Sequence, residues 1–188
     1  MTELKNAKEQ LLDSAESLIQ TRGYNDFSFR DLAESVGISS ASVHHHYRTK
    51  EALGVAVTSR YTERFITLLE EQSAKSDDAK KLLNIYIKLF RKSLVEEGHM
   101  CLCGMLGAEI DSLPNLVAKE TKIFFEKNLV WLTSVFKLNK AKASFKAETK
   151  AKILLSTLEG ALILSRTNKD NKLFDEITNK LADRLLSQ

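Results

Sequence analysis

Three adjacent histidines, His44, His45 and His46, are the side chains in this sequence that most directly suggest chemistry. Imidazole binds metal ions, and it donates or accepts hydrogen bonds according to its protonation. A chelating pair on a helix needs a spacing of three or four residues, as in H-E-x-x-H. Consecutive helical residues lie about 100° apart around the axis, so these three rings fan over roughly 200° and do not converge on one ion. The spacing therefore predicts no metal site at the histidines.

The residues before the histidines predict two short helices joined by a tight turn. Ala33, Gly37, Ile38 and Val43 form the pattern A-x-x-x-G-I-x-x-x-x-V. The small alanine lets a second helix approach closely, and the glycine allows the positive φ that a tight turn needs. The isoleucine and the valine fill the space between the helices. This pattern is typical of a helix-turn-helix, whose second helix enters the DNA major groove.

The helical period divides the side chains of this second helix between core and groove. If Val43 points inward, His46 and Tyr47, three and four residues later, lie on the same side. His44 and His45 share the opposite face with the residues just before Val43. We therefore expect the first two histidines to face DNA and the third to face the core.

A longer pattern runs from residue 23 to residue 53: G-Y-x-x-F-S-x-x-D-L-A-x-x-V-G-I-S-x-x-S-V-x-H-H-Y-x-x-K-E-A-L. It resembles the DNA-binding segment of the TetR (tetracycline-repressor-like) family, and the rest of the chain shares the helical layout of that family. The resemblance implies a three-helix DNA-binding domain followed by a larger helical domain that dimerises and binds a ligand. The partners it implies are a double-stranded DNA operator, a small-molecule effector and a second copy of the chain.

The resemblance also assigns roles to the matching positions. Ser28, at a helix N-terminus, and Lys50, at the start of the fourth helix, would hold phosphates of the DNA backbone. The full set of DNA-binding positions that we expect is Ser28, Ser39, Ser40, Ala41, Ser42, His44, His45 and Lys50. Family members often carry tyrosine where this chain has His44 and His46, so the chain departs from its relatives there.

Composition bounds the class of protein and its compartment. The chain has 188 residues, a net charge of +3 and a pI of about 8.8. Its first 50 residues carry six basic and seven acidic side chains, so the expected DNA binding rests on the motif and not on bulk charge. The two cysteines form no disulfide framework, the N-terminus has no apolar leader, and no apolar run approaches the roughly 20 residues that span a bilayer. We therefore expect a cytoplasmic protein with no membrane partner.

Apolar residues recur at three- and four-residue spacing along almost the whole chain, which predicts an all-α protein of about nine helices. Glycines, the proline and capping residues set the expected helix ends, and Ser28, three residues before Asp31, predicts a capping box at one helix start. The expected helices cover residues 4–21, 29–36, 40–46, 50–74, 79–96, 100–111, 115–138, 146–167 and 170–186. We expect a helix-turn-helix DNA-binding domain at residues 1–49 and a helical ligand-binding and dimerisation domain at residues 50–188.

The connection between two of the middle helices contains a second possible site, because His99, Cys101 and Cys103 form H-x-C-x-C. Alternate residues of an extended segment share one face, so a thiol sensor or a soft-metal site is one interpretation. Cysteines are also small apolar core residues, and this interpretation stays open beside the first. The expected ligand-binding positions are Tyr86, Phe90, Met100, Cys101, Cys103, Met105, Glu109, Phe124, Phe125 and Trp131.

The helix expected at residues 146–167 is apolar on more than one side, so it must be buried on two sides. One side faces its own domain, and we expect the other to face a second copy of the chain. Together with Leu173, Ile177, Leu181 and Leu185 of the last helix, it predicts a four-helix dimer interface. A two-fold dimer would place two recognition helices in successive major grooves, about 34–36 Å apart.

These features favour a dimeric, ligand-responsive DNA-binding regulator, a repressor that a small molecule releases from its operator. We expect neither a cofactor nor catalysis, because the sequence contains no nucleophile elbow, phosphate loop or zinc signature. The alternative is a thiol-based redox or electrophile sensor, or a thiol enzyme, that uses Cys101 and Cys103.

Overall fold

The computed structural model describes residues 2–139 and 145–187, and within these ranges every regular element is a helix. The helices are α1 (Thr2–Arg22), α2 (Phe29–Val36), α3 (Ser40–His46), α4 (Lys50–Lys75), α5 (Ala79–Val95), α6 (Leu102–Ala108), α7 (Asn115–Leu138), α8 (Ala147–Asn168), α9 (Lys172–Thr178) and α10 (Leu181–Ser187). A short 3-10 helix, Ile110–Ser112, lies between α6 and α7. The predicted all-α class is confirmed. Within the described ranges, no helix combines the length and the apolar character that crossing a membrane requires.

The observed helix ends follow the predicted ones closely, with one exception. α7 begins and ends at the predicted residues, directly after Pro114. The single helix predicted at residues 170–186 is wrong, because the chain leaves the helical conformation at Asn179 and Lys180 and forms α9 and α10 instead. Lys180 has a φ of 56°, in the left-handed region that glycine favours. Neither a glycine nor a proline marks this break, so the sequence pattern did not indicate it.

The chain forms two compact units, and they do not follow the boundary expected at residue 50. The first unit comprises the residues up to Glu63 together with Leu102–Phe124. The second comprises Arg64–Cys101 together with the residues from Phe125 onward. α4 and α7 each contribute residues to both units, so a single cut in the sequence does not separate them. The assignment of DNA binding to one domain and of ligand binding to the other stays a prediction.

The core of the first unit holds the helix-turn-helix in place. Leu11, Ala15 and Ile19 lie four residues apart on α1, and all three are fully buried. Leu32 of α2 and Val43 of α3 are also fully buried. Burying an aliphatic side chain of this size stabilises a fold by about 1.5–3 kcal/mol. This shared core fixes α3 relative to α1 and α2.

The second unit is organised around α8, which contacts α5, α9 and α10. Leu154, Leu158 and Leu162 share one face of α8, and they are fully buried. A two-point ion pair, in which Arg91 of α5 donates to Asp175 of α9 at 2.6 and 3.0 Å, adds a polar link at the surface. The opposite face of α8 is the one with exposed side chains.

Candidate nucleic-acid interface and sensor core

Helix α2 begins at a capping box formed by Ser28 and Asp31. The backbone N–H of Asp31 donates to the Ser28 hydroxyl at 3.3 Å, and the backbone N–H of Ser28 donates to the Asp31 carboxylate at 2.7 Å. These bonds satisfy two N–H groups that a helix start otherwise leaves without partners. Hydrogen bonds from Ser28 hold the pKa of Asp31 below its usual value. The predicted capping box is confirmed, and contact between Ser28 and a phosphate stays a prediction.

The turn between α2 and α3 has the geometry that the sequence pattern requires. Gly37 has a φ of 74°, and the backbone N–H of Ile38 donates to the carbonyl of Ala33 at 3.0 Å. Ser39 then caps α3, because its hydroxyl accepts the backbone N–H of Ser42 at 3.2 Å. The helix-turn-helix is confirmed, with α3 as its second helix.

The side chains of α3 divide between core and surface. Val43 is fully buried and Tyr47, directly after the helix, is 6% exposed. His44 and His45 are exposed, and His46 is half-buried. The exposed face also includes Ser40 and Ala41, as the helical period predicts. These four side chains form the surface that we name the α3 surface.

The three imidazoles have different neighbours. The ring of His44 packs edge-on against Phe29 of α2, with ring centroids 4.9 Å apart. The rings of His45 and His46 lie edge-on to each other, with centroids 5.6 Å apart. In the part of the chain that the structure describes, no group of three His, Cys, Asp or Glu side chains is arranged to hold a metal ion.

Lys50 lies in an aromatic cleft, not at an exposed position. Its ammonium group donates a hydrogen bond to the carbonyl of Phe27. The same group lies 4.4 Å from the centroid of the Phe27 ring and 4.7 Å from that of the Tyr24 ring, which are cation–π distances. Burial lowers the pKa of Lys50. In this position the ammonium joins the start of α4 to the loop between α1 and α2, and contact between Lys50 and a phosphate stays a prediction.

Glu109, expected among the ligand-binding residues, also binds the loop between α1 and α2. Its carboxylate accepts the backbone N–H of Tyr24 at 2.6 Å, and it also accepts the backbone N–H and side-chain amide of Asn25 at 3.3 and 3.0 Å. A Cβ atom at Gly23 would lie 3.0 Å from this carboxylate, so glycine lets the two segments approach. The structure therefore gives Glu109 an internal partner within the first unit.

An ion-pair cluster that the sequence did not indicate joins α4 to α1. The guanidinium group of Arg60 lies 3.0 Å from Glu9, 2.7 Å from Asp13 and 3.1 Å from Glu16. The three carboxylates recur at three- and four-residue spacing, so they share one face of α1. Because all three carboxylates contact the same arginine, they fix how α4 crosses α1. α4 is the helix that directly follows α3.

Two comparisons decide the family. The family model of bacterial regulatory proteins of the tetR family matches residues 11–57. The crystal structure of a TetR transcriptional regulator from Legionella pneumophila is 35% identical, with a TM-score of 0.84 over 94% of this chain and 96% of that one. The chain belongs to the TetR family. TetR-family membership accounts for the helix-turn-helix geometry of α2 and α3, and it makes the chain a DNA-binding transcriptional regulator.

Curated relatives of this TetR-family chain are also regulators. The HTH-type transcriptional regulator YxaF of Bacillus subtilis is 26% identical over 184 residues, which is 90% of each chain. The HTH-type transcriptional repressor NemR of Escherichia coli is 29% identical over 114 residues, which is 57% of this chain and 56% of NemR. Both of these relatives are named as transcriptional regulators, which is the class of protein that the sequence predicted.

The ligand-binding positions expected from the sequence fall in both units. Cys103, Met105, Glu109 and Phe124 belong to the first unit, and Tyr86, Phe90, Met100, Cys101, Phe125 and Trp131 belong to the second. In the first unit, Phe124 packs against Tyr61 with ring centroids 5.5 Å apart. The second unit therefore contains the larger group of candidates, and three of them, Tyr86, Phe90 and Trp131, form an aromatic cluster.

The aromatic cluster centres on Tyr86, which is fully buried. Its ring stacks on Trp131 with centroids 5.6 Å and planes 19° apart, and it lies 5.2 Å from the ring of Phe90. The Tyr86 hydroxyl donates to the side-chain oxygen of Asn128 at 2.7 Å. The indole N–H of Trp131 donates to Ser73 at 2.9 Å. Each polar atom of these rings is thus paired, as burial requires.

Glu159 on α8 is a functional candidate that the sequence analysis missed. Burial raises the pKa of its carboxyl group to about 7, against an opposing hydrogen bond from Cys101. The Oε1 atom of Glu159 is buried, and it has no hydrogen-bond partner among the described residues. A charge within the apolar stretch of α8 was visible in the sequence, but its missing partner was not. Cys101 and Cys103 are both buried, and neither forms a disulfide within the described ranges.

The outer face of α8 is exposed, while part of the predicted dimer surface is not. Ile163 and Leu164 are 55% and 51% exposed, although both are large and apolar. A Cβ atom at Gly160 would meet no other atom within 4 Å. By contrast, Leu181 and Leu185 are buried within their own protomer, so the expectation that they face a partner is wrong. The break after α9 turns these two side chains inward.

Proposed function

We propose that this TetR-family chain is a dimeric repressor that binds a double-stranded operator through the α3 surface. A small molecule bound in the second unit would release it. The observation that carries the proposal is the α3 surface itself, where His44 and His45 are exposed while Val43 behind them is fully buried. A helix fixed by its core on one side presents the other side to a groove without rearrangement. The name of NemR as a repressor supports the direction of regulation.

The dimer of this proposal forms through the outer face of α8. Exposed large apolar side chains next to a glycine that no other residue covers suit the close crossing of two helices. Ile163, Leu164 and Gly160 form such a surface, and the half-buried Leu173 and Ile177 of α9 extend it. A two-fold axis there pairs the same surface of two copies, which is the commonest arrangement of a homodimer.

A pair of matched variants tests this interface. Ile163→Asp places a charge in the proposed contact, so we expect a monomer in sedimentation velocity. Val130→Asp makes the same chemical change at a side chain of α7 that is 71% exposed, and it should leave the dimer intact. A dimeric Ile163→Asp protein would exclude this face of α8 from the interface.

Release by a small molecule follows from a population shift. The effector would bind the conformer whose two α3 helices are wrongly spaced for successive grooves, and it would draw the protein away from DNA. A location in the cytoplasm suits this role.

The alternative of a thiol sensor has little support, because buried thiols react slowly. If the double replacement of Cys101 and Cys103 by serine abolishes the release of the protein from DNA by oxidants, the result supports the thiol-sensor alternative.

The DNA-binding claim is tested by fluorescence anisotropy with labelled DNA from upstream of the gene for this chain. We expect sequence-specific binding by the wild-type protein, and a loss of about tenfold or more in His44→Ala and His45→Ala, since one base contact is worth about 1–3 kcal/mol. His99→Ala is the matched control, because it removes an imidazole outside α3. Binding that is absent at low salt, or that both α3 variants retain in full, would contradict the proposal.

A further inference from the structure

Glu159 carries a buried carboxyl group that DNA binding does not use. Its Oε1 atom is buried, and no donor among the described residues reaches it. The hydrogen bond that the carboxyl group does receive comes from the Cys101 thiol, which is a weak donor. A buried acceptor that lacks a donor destabilises a folded protein. Such a group therefore points to a partner that completes the site.

The surroundings of Glu159 favour positive charge. Burial is the main reason why the pKa of Tyr86 is raised, and the charges of Cys101 and Glu159 raise it further, so the carboxyl group and the phenol interact electrostatically within the second unit. Tyr86 belongs to the aromatic cluster with Phe90 and Trp131. The faces of aromatic rings attract cations through their quadrupole. A carboxylate without a counter-ion and a cluster of ring faces thus select for the same kind of ligand.

We propose that Glu159 anchors the effector of this regulator, and that the effector is a small aromatic amine whose protonated nitrogen donates a hydrogen bond to Oε1. The inference rests on the proposed effector response, and it adds the chemical class of the effector. The ammonium group supplies the donor that Oε1 lacks, and it neutralises the buried charge. The aromatic body packs against the cluster formed by Tyr86, Phe90 and Trp131.

Other ligand classes fit the site less well. An anion would place a second negative charge beside Glu159, which low-polarity surroundings disfavour strongly. Above the pKa of the Glu159 carboxyl group, which burial raises to about 7, a neutral alcohol supplies a donor but leaves the carboxylate charge buried and uncompensated. A metal ion needs several ligands, and the described residues hold no group of three side chains that would supply them. The amine alone satisfies both the hydrogen bond and the charge.

Trp131 allows the site to be observed directly, because it is the only tryptophan in the sequence. The full-length protein is titrated, without DNA, with benzylamine, phenethylamine and 4-phenylbenzylamine, each paired with the matching alcohol. Binding is followed by Trp131 fluorescence and by isothermal titration calorimetry. We expect at least one amine to bind about 10- to 100-fold more tightly than its alcohol, the range of a charge-assisted hydrogen bond. Equal or absent binding across all three pairs would overturn the proposal.

Two variants then locate the contact. Glu159→Gln keeps the shape of the side chain and removes its charge, and it should abolish the preference for the amine over the alcohol. Glu176→Gln makes the same change at an exposed position of α9, and it should bind the amine as the wild-type protein does. If Glu159→Gln retains the full preference, the amine lies elsewhere and the proposal fails. The comparison of amine with alcohol on the wild-type protein decides the matter even if this variant does not fold.

This experiment is separate from the test of DNA binding. A protein that prefers the amine but never binds DNA specifically would contradict the proposed function and leave the amine site standing. A protein that binds its operator through α3 and shows no preference for amines would keep the proposed function and lose the amine site. When both tests succeed, the amine should also reduce operator binding of the wild-type protein and not of Glu159→Gln.

Discussion

Replacing Glu159 by glutamine should remove a pH dependence from the stability of the fold. Burial raises the pKa of the Glu159 carboxyl group from 4.5 to about 7, so the folded protein binds this proton more tightly than the unfolded chain does. The stability that results is fully present below the unfolded pKa and is lost as the pH rises through the folded one. Glutamine has no such proton, so its contribution does not change with pH.

The magnitude follows from the two pKa values. The full difference corresponds to about 3 kcal/mol at 1.36 kcal/mol for each pKa unit, and about 2.5 kcal/mol of it is lost between pH 5 and pH 8.5. The free energy of unfolding of the wild-type protein should fall by this amount relative to Glu159→Gln over that range. Burial raises the pKa of Tyr86 further above its ordinary value, so the phenol stays protonated throughout.

The assay is urea denaturation followed by circular dichroism at a series of pH values. Protein concentration is held constant, because the apparent free energy of unfolding of a dimer depends on protein concentration. Only the difference between the two proteins is interpreted, since every other titrating group cancels in it. Glu176→Gln, at an exposed carboxylate, should show a flat difference from wild type. If the difference for Glu159→Gln is also flat, the carboxyl group is solvated and ionised in the folded protein, and the argument for its burial fails.

Three further predictions concern the first unit. Gly54→Ala should destabilise the fold by about 1–3 kcal/mol in urea denaturation, because the new Cβ would lie 2.8 Å from the Tyr24 ring and 2.9 Å from Val117; unchanged stability would refute this packing. Glu109→Gln weakens the bond from the backbone N–H of Tyr24 and should cost about 1 kcal/mol in the same assay; a gain in stability would contradict it. Lys50→Met should lower the melting temperature, because it removes the ammonium from the rings of Tyr24 and Phe27, and the loss of its predicted phosphate contact should lower the slope of the salt dependence of DNA binding by about 0.9; an unchanged melting temperature would contradict the first part, and an unchanged slope the second.

The sequence predicted the features that depend on neighbouring residues. The capping box at Ser28, the positive φ of Gly37 and both ends of α7 each involve residues within four positions of one another, where helix geometry leaves few alternatives. The inward position of Val43 and the outward position of His44 follow from the period of a helix in the same way.

Contacts between distant residues were not predictable in this way. Glu109 and Tyr24 are 85 positions apart, and nothing local relates a carboxylate to a backbone N–H at that distance. Lys50 matches the family pattern, but only the folded chain shows its ammonium in an aromatic cleft. The same holds for Glu159, because a missing hydrogen-bond partner is a property of the packed structure. The break at Lys180 had no glycine or proline to mark it.

The central claim is that two copies of α3 enter successive major grooves of one operator. Methylation interference on a DNA site selected by the wild-type protein from a random pool tests it directly, since the reagent modifies guanine N7 in the major groove and adenine N3 in the minor groove. We predict two symmetric clusters of interference, about 10–10.5 base pairs apart from centre to centre. The Ile163→Asp variant should no longer produce this pair of clusters. A single cluster, interference confined to the minor groove, or a pool that yields no preferred sequence would contradict the account.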